Sequence, residues 1–322
     1  MGGFTNFPSG VMSLGIPVVP ANLFGRTSKA FFVDPVNGSD GNRGTDIRQP
    51  LATLSQAHSL CTAGNNDVVY LIGNGLTSGT ARETGTLTWS KDSTHLIGIC
   101  SGNHIAQRAR ISSASGTTFA TMMTVSADGC RFENIHVFQD YNTAATNACL
   151  NVTGERHAFV NCHFAGGGAA TGADQAGMSS VYIDGDGAGR GENYFGHCVI
   201  GLDTVNRGAA ASAEIVLAQQ TPRNMFENCT ILSRTDDTNP LMMKVGASGM
   251  DRWCLFKSCL FWNDTVGGGT KMAQMFSLNA SAGGVVMLQK CDTFGATAIE
   301  TSASSLLYIS QETDQVADAN AA

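Results

Sequence analysis

Charge is scarce in this sequence: 14% of its 322 residues are Asp, Glu, Lys or Arg, and acids outnumber bases 26 to 19. The net charge of −7 argues against a nucleic-acid surface, because phosphate binding needs clustered Lys and Arg. No run of 18 or more apolar residues occurs, so no membrane span is expected. The ten cysteines include no CxxC pair and no zinc-site spacing, so neither a metal site nor any other cofactor is predicted. Aromatic residues make up 7%, which leaves few of the flat platforms that line sugar-binding grooves.

What the sequence does have is self-similarity. Phe132, Phe159, Phe195, Phe226, Phe256 and Leu288 stand three residues before Ile135, Cys162, Cys198, Cys229, Cys259 and Cys291. Successive members of the second set are 27, 36, 31, 30 and 32 residues apart. A recurring unit with variable connections marks a solenoid built from stacked supersecondary units. Glycine (38 residues) and many β-branched side chains suit short strands between tight turns. The cysteines at one repeat position read as small hydrophobes stacked inside the coil, reduced rather than paired.

In Phe226-Glu227-Asn228-Cys229-Thr230-Ile231, Phe, Cys and Ile cannot all face inward on one straight strand, because side chains alternate. A left-handed residue at Asn228 restores the parity, and Asn134, Asn161, His197, Ser258 and Lys290 hold the same place. Three strands per coil follow: one ending at Val125, Val152, Ile183, Leu217, Val245, Leu278 or Ile309, one at the Phe, and one after the Cys. The prediction is an all-β chain, a right-handed parallel β-helix of about eight coils over residues 68–310. Residues 1–29 are an extended arm, 30–67 a cap, and 311–322 a tail that either covers the last coil or trails off.

Within the cap, Ala30-Phe31-Phe32-Val33-Asp34 reads as a strand and Asn37 to Thr45 as turns. Pro50 takes a helix N1 position, with Leu51, Leu54, Ala57 and Cys61 at helical spacing to about residue 62. This strand, Asn-Gly-Ser-Asp, Gly-Thr and Pro-Leu-Ala-Thr-Leu order over residues 32–57 resembles the start of many pectin-lyase-like parallel β-helix proteins. The resemblance implies a helix that plugs the open end of the coil. It belongs to a fold and not to an activity.

A lyase or hydrolase on such a scaffold needs a base, or two carboxylates, facing one groove. The strongest acidic group is Asp184 with Asp186 and Glu192, near Arg190, in a Gly-Asp-Gly turn; Asp174, Asp203 with Arg207, and Asp236 with Asp237 are weaker. Tight coil corners require such Gly-Asp-Gly runs in any case, and turn chemistry is the favoured explanation. His136 and His163 are expected to stack on the outer face, without a third ligand. Trp253 and Trp262 are assigned to filling a wide coil end, with a sugar contact as the alternative.

The first 25 residues carry no charged side chain and are broken by Pro8, Pro17 and Pro20. Phe4, Phe7, Val11, Leu14, Ile16 and Val18 are apolar anchors that make sense only against another surface, either that of a neighbouring protein or that of the chain's own domain. An arm running from Gly3 to Pro17, joined to a rigid rod, resembles segments of tailed-phage virion structural proteins. That resemblance implies a non-enzymatic capsid decoration (cement) protein, assembled in host cytoplasm into the virion. Its partners would be a major capsid protein or another virion protein, further copies of itself (a trimer is one arrangement), and a host glycan on the loop-rich flank. The alternative is a tailspike-like polysaccharide lyase or glycoside hydrolase, and a third reading is a non-catalytic carbohydrate-binding fibre.

Overall fold

Three parallel sheets wind around one apolar core in the computed structural model, which describes residues 12–13, 16–17, 27–74, 76–100, 109–140, 147–210, 212–265, 268–301, 306–310 and 316–318. Sheet 1 runs from Ala30–Val33 through nine further parallel strands to Leu307–Ser310. Sheet 2 has eight strands, from Ala81–Glu83 to Asp292–Phe294, and sheet 3 has seven, from Leu87–Trp89 to Phe276–Leu278. The molecule is an all-β parallel β-solenoid. Sheet 3 sets the number of complete turns at seven, close to the expected eight.

The repeat residues stack as the spacing predicts. Phe132, Phe159, Phe195, Phe226 and Phe256 are fully buried, and their rings lie 4.6–5.0 Å apart and nearly parallel. Register places Phe159 on Phe132 and Phe226 on Phe195. The corner residue is left-handed in each winding: φ is 55° at Asn134, 51° at Asn161, 55° at His197, 52° at Asn228, 53° at Ser258 and 53° at Lys290. Asparagine suits this corner because its short amide bonds locally; Asn161 Nδ2 donates to Asn134 Oδ1 at 3.2 Å.

All ten cysteines are free thiols. Five form a ladder in which each S–H donates to the backbone of the preceding winding. Cys162 reaches Phe132 O (3.5 Å), Cys198 reaches Phe159 O (3.4 Å), and Cys229 reaches Phe195 O (3.3 Å). Cys259 and Cys291 continue to Phe226 O and Phe256 O, each at 3.4 Å. Burial raises the Cys198 thiol well above its ordinary range, so it stays protonated and remains a donor.

Three details differ from the sequence reading. The helix is Leu54–Leu60, shorter than expected, with Thr53 and not Pro50 at its start; the Thr53 side chain accepts from Gln56 N. Leu51 is instead bridged to Val33, and Asp40 binds the Ala52 and Thr53 amides, which holds the chain extended up to the cap. Ile309 stacks on Leu288 in sheet 1 and does not end a strand of sheet 3. Beyond it, Val316–Asp318 pairs antiparallel with Leu307–Ser310 and covers the last edge of sheet 1, the first of the two tail alternatives.

The first windings bury three histidines whose ring nitrogens accept backbone hydrogen bonds. His58 Nε2 accepts from Ser90 N (3.3 Å), His95 Nδ1 from Arg131 N (3.0 Å), and His157 Nδ1 from Cys130 N (3.2 Å). Burial lowers each from 6.5 to about 4, reinforced by Lys91 at His58 and Arg131 at His95, while Asp128 and Asp92 partly oppose it at His157. The unfolded chain therefore binds protons between about pH 6.5 and pH 4 that the native chain refuses. Stability is full above that window and declines as pH falls through it. The melting temperature is expected to drop markedly from pH 7.5 to 4.5, and a flat profile would show that these rings titrate freely. In the column itself, Phe195→Ala should cost about 3–5 kcal/mol in denaturant unfolding, and Cys229→Asp should prevent folding by placing an unpaired charge in the stack.

Candidate functional site

The acidic corner selected from sequence does not converge on one point. Asp184 closes the strand Ser179–Asp184, and its Oδ1 accepts the Asp186 amide at 2.9 Å, a local turn bond. Asp186 sits at φ 51°, the left-handed geometry that the turn demands. Arg190 reaches Asp128 Oδ1 (3.4 Å), two windings below, and neither of the two aspartates. Nearby Glu192 is held by Arg156 (2.8 Å) and by Arg223. These contacts are turn bonds and surface ion pairs. The weaker acidic patches behave alike: Asp174 accepts the Ala210 amide and Asp237 the Asn239 amide.

Arg207 is the exception. It lies in the connection between Val199–Gly201 and Ala213–Ala218, on the flank where the variable segments emerge. Its guanidinium forms a fork with Glu214: Nε to Oε1 at 2.5 Å and Nη2 to Oε2 at 2.6 Å, with both side chains almost fully buried. Ser180 Oγ donates to Glu214 Oε2 at 2.6 Å, and the Gly166 amide donates to Ser180. Gly201 must be glycine here, since φ is +96° and a Cβ would lie 2.0 Å from Leu232 O and 2.7 Å from Glu214 Oε2. Sequence reading paired Arg207 with Asp203. The overlooked signal is Glu214, a lone carboxylate in the otherwise apolar strand Ala213–Ala218. The fork pins a long loop to the outside of sheet 3, and its two side chains, almost fully buried, are turned toward each other and not toward solvent.

A hollow of about 640 Å³ opens beside the first strands of sheet 2 and is lined by Arg82, Asp140 and the hydroxyl-rich run Ser113–Thr118. Asp140 receives Arg82 Nη1 at 3.4 Å and Ser113 Oγ at 2.7 Å. Next to it, Arg110 stacks on the Phe138 ring at 4.3 Å. Burial pushes Glu83 up to about 7, but that carboxyl lies inside the first winding and not on the outer wall. A polar basin with one internal ion pair suits a hydroxylated ligand better than proton transfer.

His136 and His163 stack on the outer face as expected, 4.4 Å apart and 6° from parallel, but they are buried. Among the described residues no group of three metal-ligating side chains occurs. The tryptophans correct the sequence reading, because neither Trp253 nor Trp262 fills the coil. Trp262 packs outside sheet 2 against the exposed Phe294 (5.5 Å). Trp253 alternates with Cys254 and Phe256, which point inward, and so lies on the outer face of sheet 1. Trp89 is the one that fills the interior, packed between His58 and Phe132. The arm anchors Phe4, Phe7, Val11, Leu14 and Val18 lie outside the described residues. Ile16 belongs to a short antiparallel pair in which Met12–Ser13 faces Ile16–Pro17.

Known structures share this architecture. A pectin methylesterase variant in complex with a hexasaccharide superposes with a TM-score of 0.58 at 14% identity, over 90% of this chain and 92% of that one. Pectate lyase Pel9A gives 0.53 at 16% identity, over 82% of this chain and 63% of the lyase, so the chain spans less than two thirds of that enzyme's length. A pectin methylesterase from Aspergillus niger gives 0.52 at 17% identity, over 92% and 89%. The shared property is the fold. No protein-family model and no curated protein sequence matches the chain.

The buried fork carries its own expectation. Removing one partner strands the other's charge, so Arg207→Met should cost about 3–5 kcal/mol. The double replacement Arg207→Met with Glu214→Leu should recover most of that loss. Chemical denaturation of the three proteins checks both statements, and equal losses in the single and double variants would contradict the buried-pair reading.

Proposed function

We propose that the protein is a non-enzymatic structural component of a virion, a capsid decoration subunit whose arm joins it to a neighbouring protein while the rod projects outward. The observation that carries this reading is the dispersal of the candidate catalytic groups. Asp184 and Asp186 serve one turn, Arg190 serves Asp128, and Arg207 serves Glu214. A lyase or hydrolase requires such groups to face a common substrate. The uncharged, apolar arm supports the same reading, since such a segment suits docking on a neighbouring protein.

The second reading, a polysaccharide-active protein, is favoured by the fold comparisons, because the similar structures are pectin-active enzymes. The Arg82–Asp140 basin adds to it, as a carboxylate beside a guanidinium offers acceptors and donors that match a vicinal diol. At 14–17% identity the likeness concerns the scaffold. A shared scaffold does not transmit chemistry, which resides in particular side chains.

Two measurements separate the readings. Incubation with pectin, alginate or bacterial capsule should release no reducing ends, methanol or unsaturated uronates; turnover abolished by Asp184→Ala with Asp186→Ala would replace the structural assignment with an enzymatic one. Deleting residues 1–24 should leave a folded rod that no longer joins particles, and full occupancy by the truncated protein would remove the arm from the account.

A further inference from the structure

The outer face of sheet 1 carries two apolar stretches, Phe32, Tyr70 and Ile97 on its first strands and a longer one on its last five parallel strands, separated by Arg131 and Glu133. Register aligns Tyr194, Met225, Leu255, Met287 and Tyr308 in one outward column across five successive strands. Trp253 and Val285, paired with each other, broaden it on one side. All seven side chains are half-buried. A hollow of about 240 Å³ opens among Leu255, Met287, Leu288, Gln289, Tyr308 and Ser310. The adjoining column carries Glu227 and Lys257, which neutralise each other at 2.8 Å, so the strip has no net charge along its border.

We propose that this strip seats the chain's own N-terminal arm. Size argues first. Five strands about 4.8 Å apart and two outward positions in width give a footprint on the order of 300 Å². A stable rod-on-rod contact needs about 800 Å² per partner. The strip is too small for that contact and fits one narrow segment of chain. Chemistry argues second, because an apolar seat without net charge matches an arm with no charged residue before Arg26. Connectivity argues third. The arm enters the described chain at Thr27, directly before Ala30–Val33, the first strand of the same sheet. Tyr194 lies in the sixth strand, five steps or about 24 Å away. The residues from 18 to 26, extended at about 3.3 Å each, cover roughly 30 Å. They therefore deliver the paired segment Met12–Pro17, and the apolar residues before it, onto the strip. A tethered segment also meets its own rod at an effective concentration in the millimolar range, far above that of another copy in dilute solution.

The seat does not require the virion reading; on that reading, a particle competes with it for the arm. Hydrogen exchange of residues 4–18 in dilute, full-length protein provides the test, with Leu255→Lys/Met287→Lys as the control. Both replacements point outward, and circular dichroism checks that the rod remains folded. The wild-type arm is expected to exchange at least tenfold more slowly than an unstructured peptide, at a rate independent of protein concentration. The double variant should lose that protection, and both it and a chain lacking residues 1–26 should show red-shifted Trp253 emission. Exchange at the unstructured rate in the wild type overturns the proposal. So does protection that survives in the folded double variant, or protection that grows with concentration and thereby assigns the arm to another copy. Loss of particle joining with the strip unoccupied would leave the virion reading intact, which keeps the two ideas distinguishable.

Discussion

The constraint on which the molecule rests is a constant rise between windings. Parallel strands stay in register only if each turn of chain climbs by one inter-strand spacing, about 4.8 Å. Every inward position must then accept a copy of itself above and below. Phenylalanine satisfies this because flat rings stack at nearly the same repeat, and 4.6 Å separates most of those in the column. A thiol satisfies it differently, being small enough to stack and still able to hydrogen-bond the carbonyl of the winding below. The left-handed corner between them turns the strand so that both columns point inward.

That constraint is also why so much of the fold was legible. Parity between Phe226 and Cys229 demanded a left-handed residue at Asn228, and φ there is 52°. The same logic held even where the corner residue is His197 or Lys290, which shows that position outranks residue preference. The ends were less legible because no neighbouring repeat dictates them. Leu51 fits a helical pattern, yet strand pairing with Val33 and the Asp40 bonds take it out of the helix. Ile309 ends an apolar stretch like its predecessors, but the final winding is incomplete and the strand joins sheet 1.

The candidate site was harder to read for a physical reason. Acidic residues in Gly-rich corners look the same in sequence whether they bind a substrate or close a turn, and only the partner of Arg190 decides between them. Glu214 was invisible as a functional residue because its partner arrives from a loop of no fixed pattern. Outward-facing apolar residues such as Leu255 and Met287 were hidden for the opposite reason. Strands alternating with buried Phe256 and Leu288 read as continuous apolar runs, and the runs conceal which face is wet.

The thiol ladder gives the rod a direction. Each sulfur lies between a carbonyl of its own winding and one of the winding that precedes it, and reaches no carbonyl of the winding that follows, so a lesion at one level is not shared evenly with its neighbours. Oxidising Cys229 to a sulfinic acid would thrust two oxygens into the space between the carbonyl of Phe195 and the side chain of Cys259. The windings on either side would still be sound, and the rod would part there like a column cracked at a single drum.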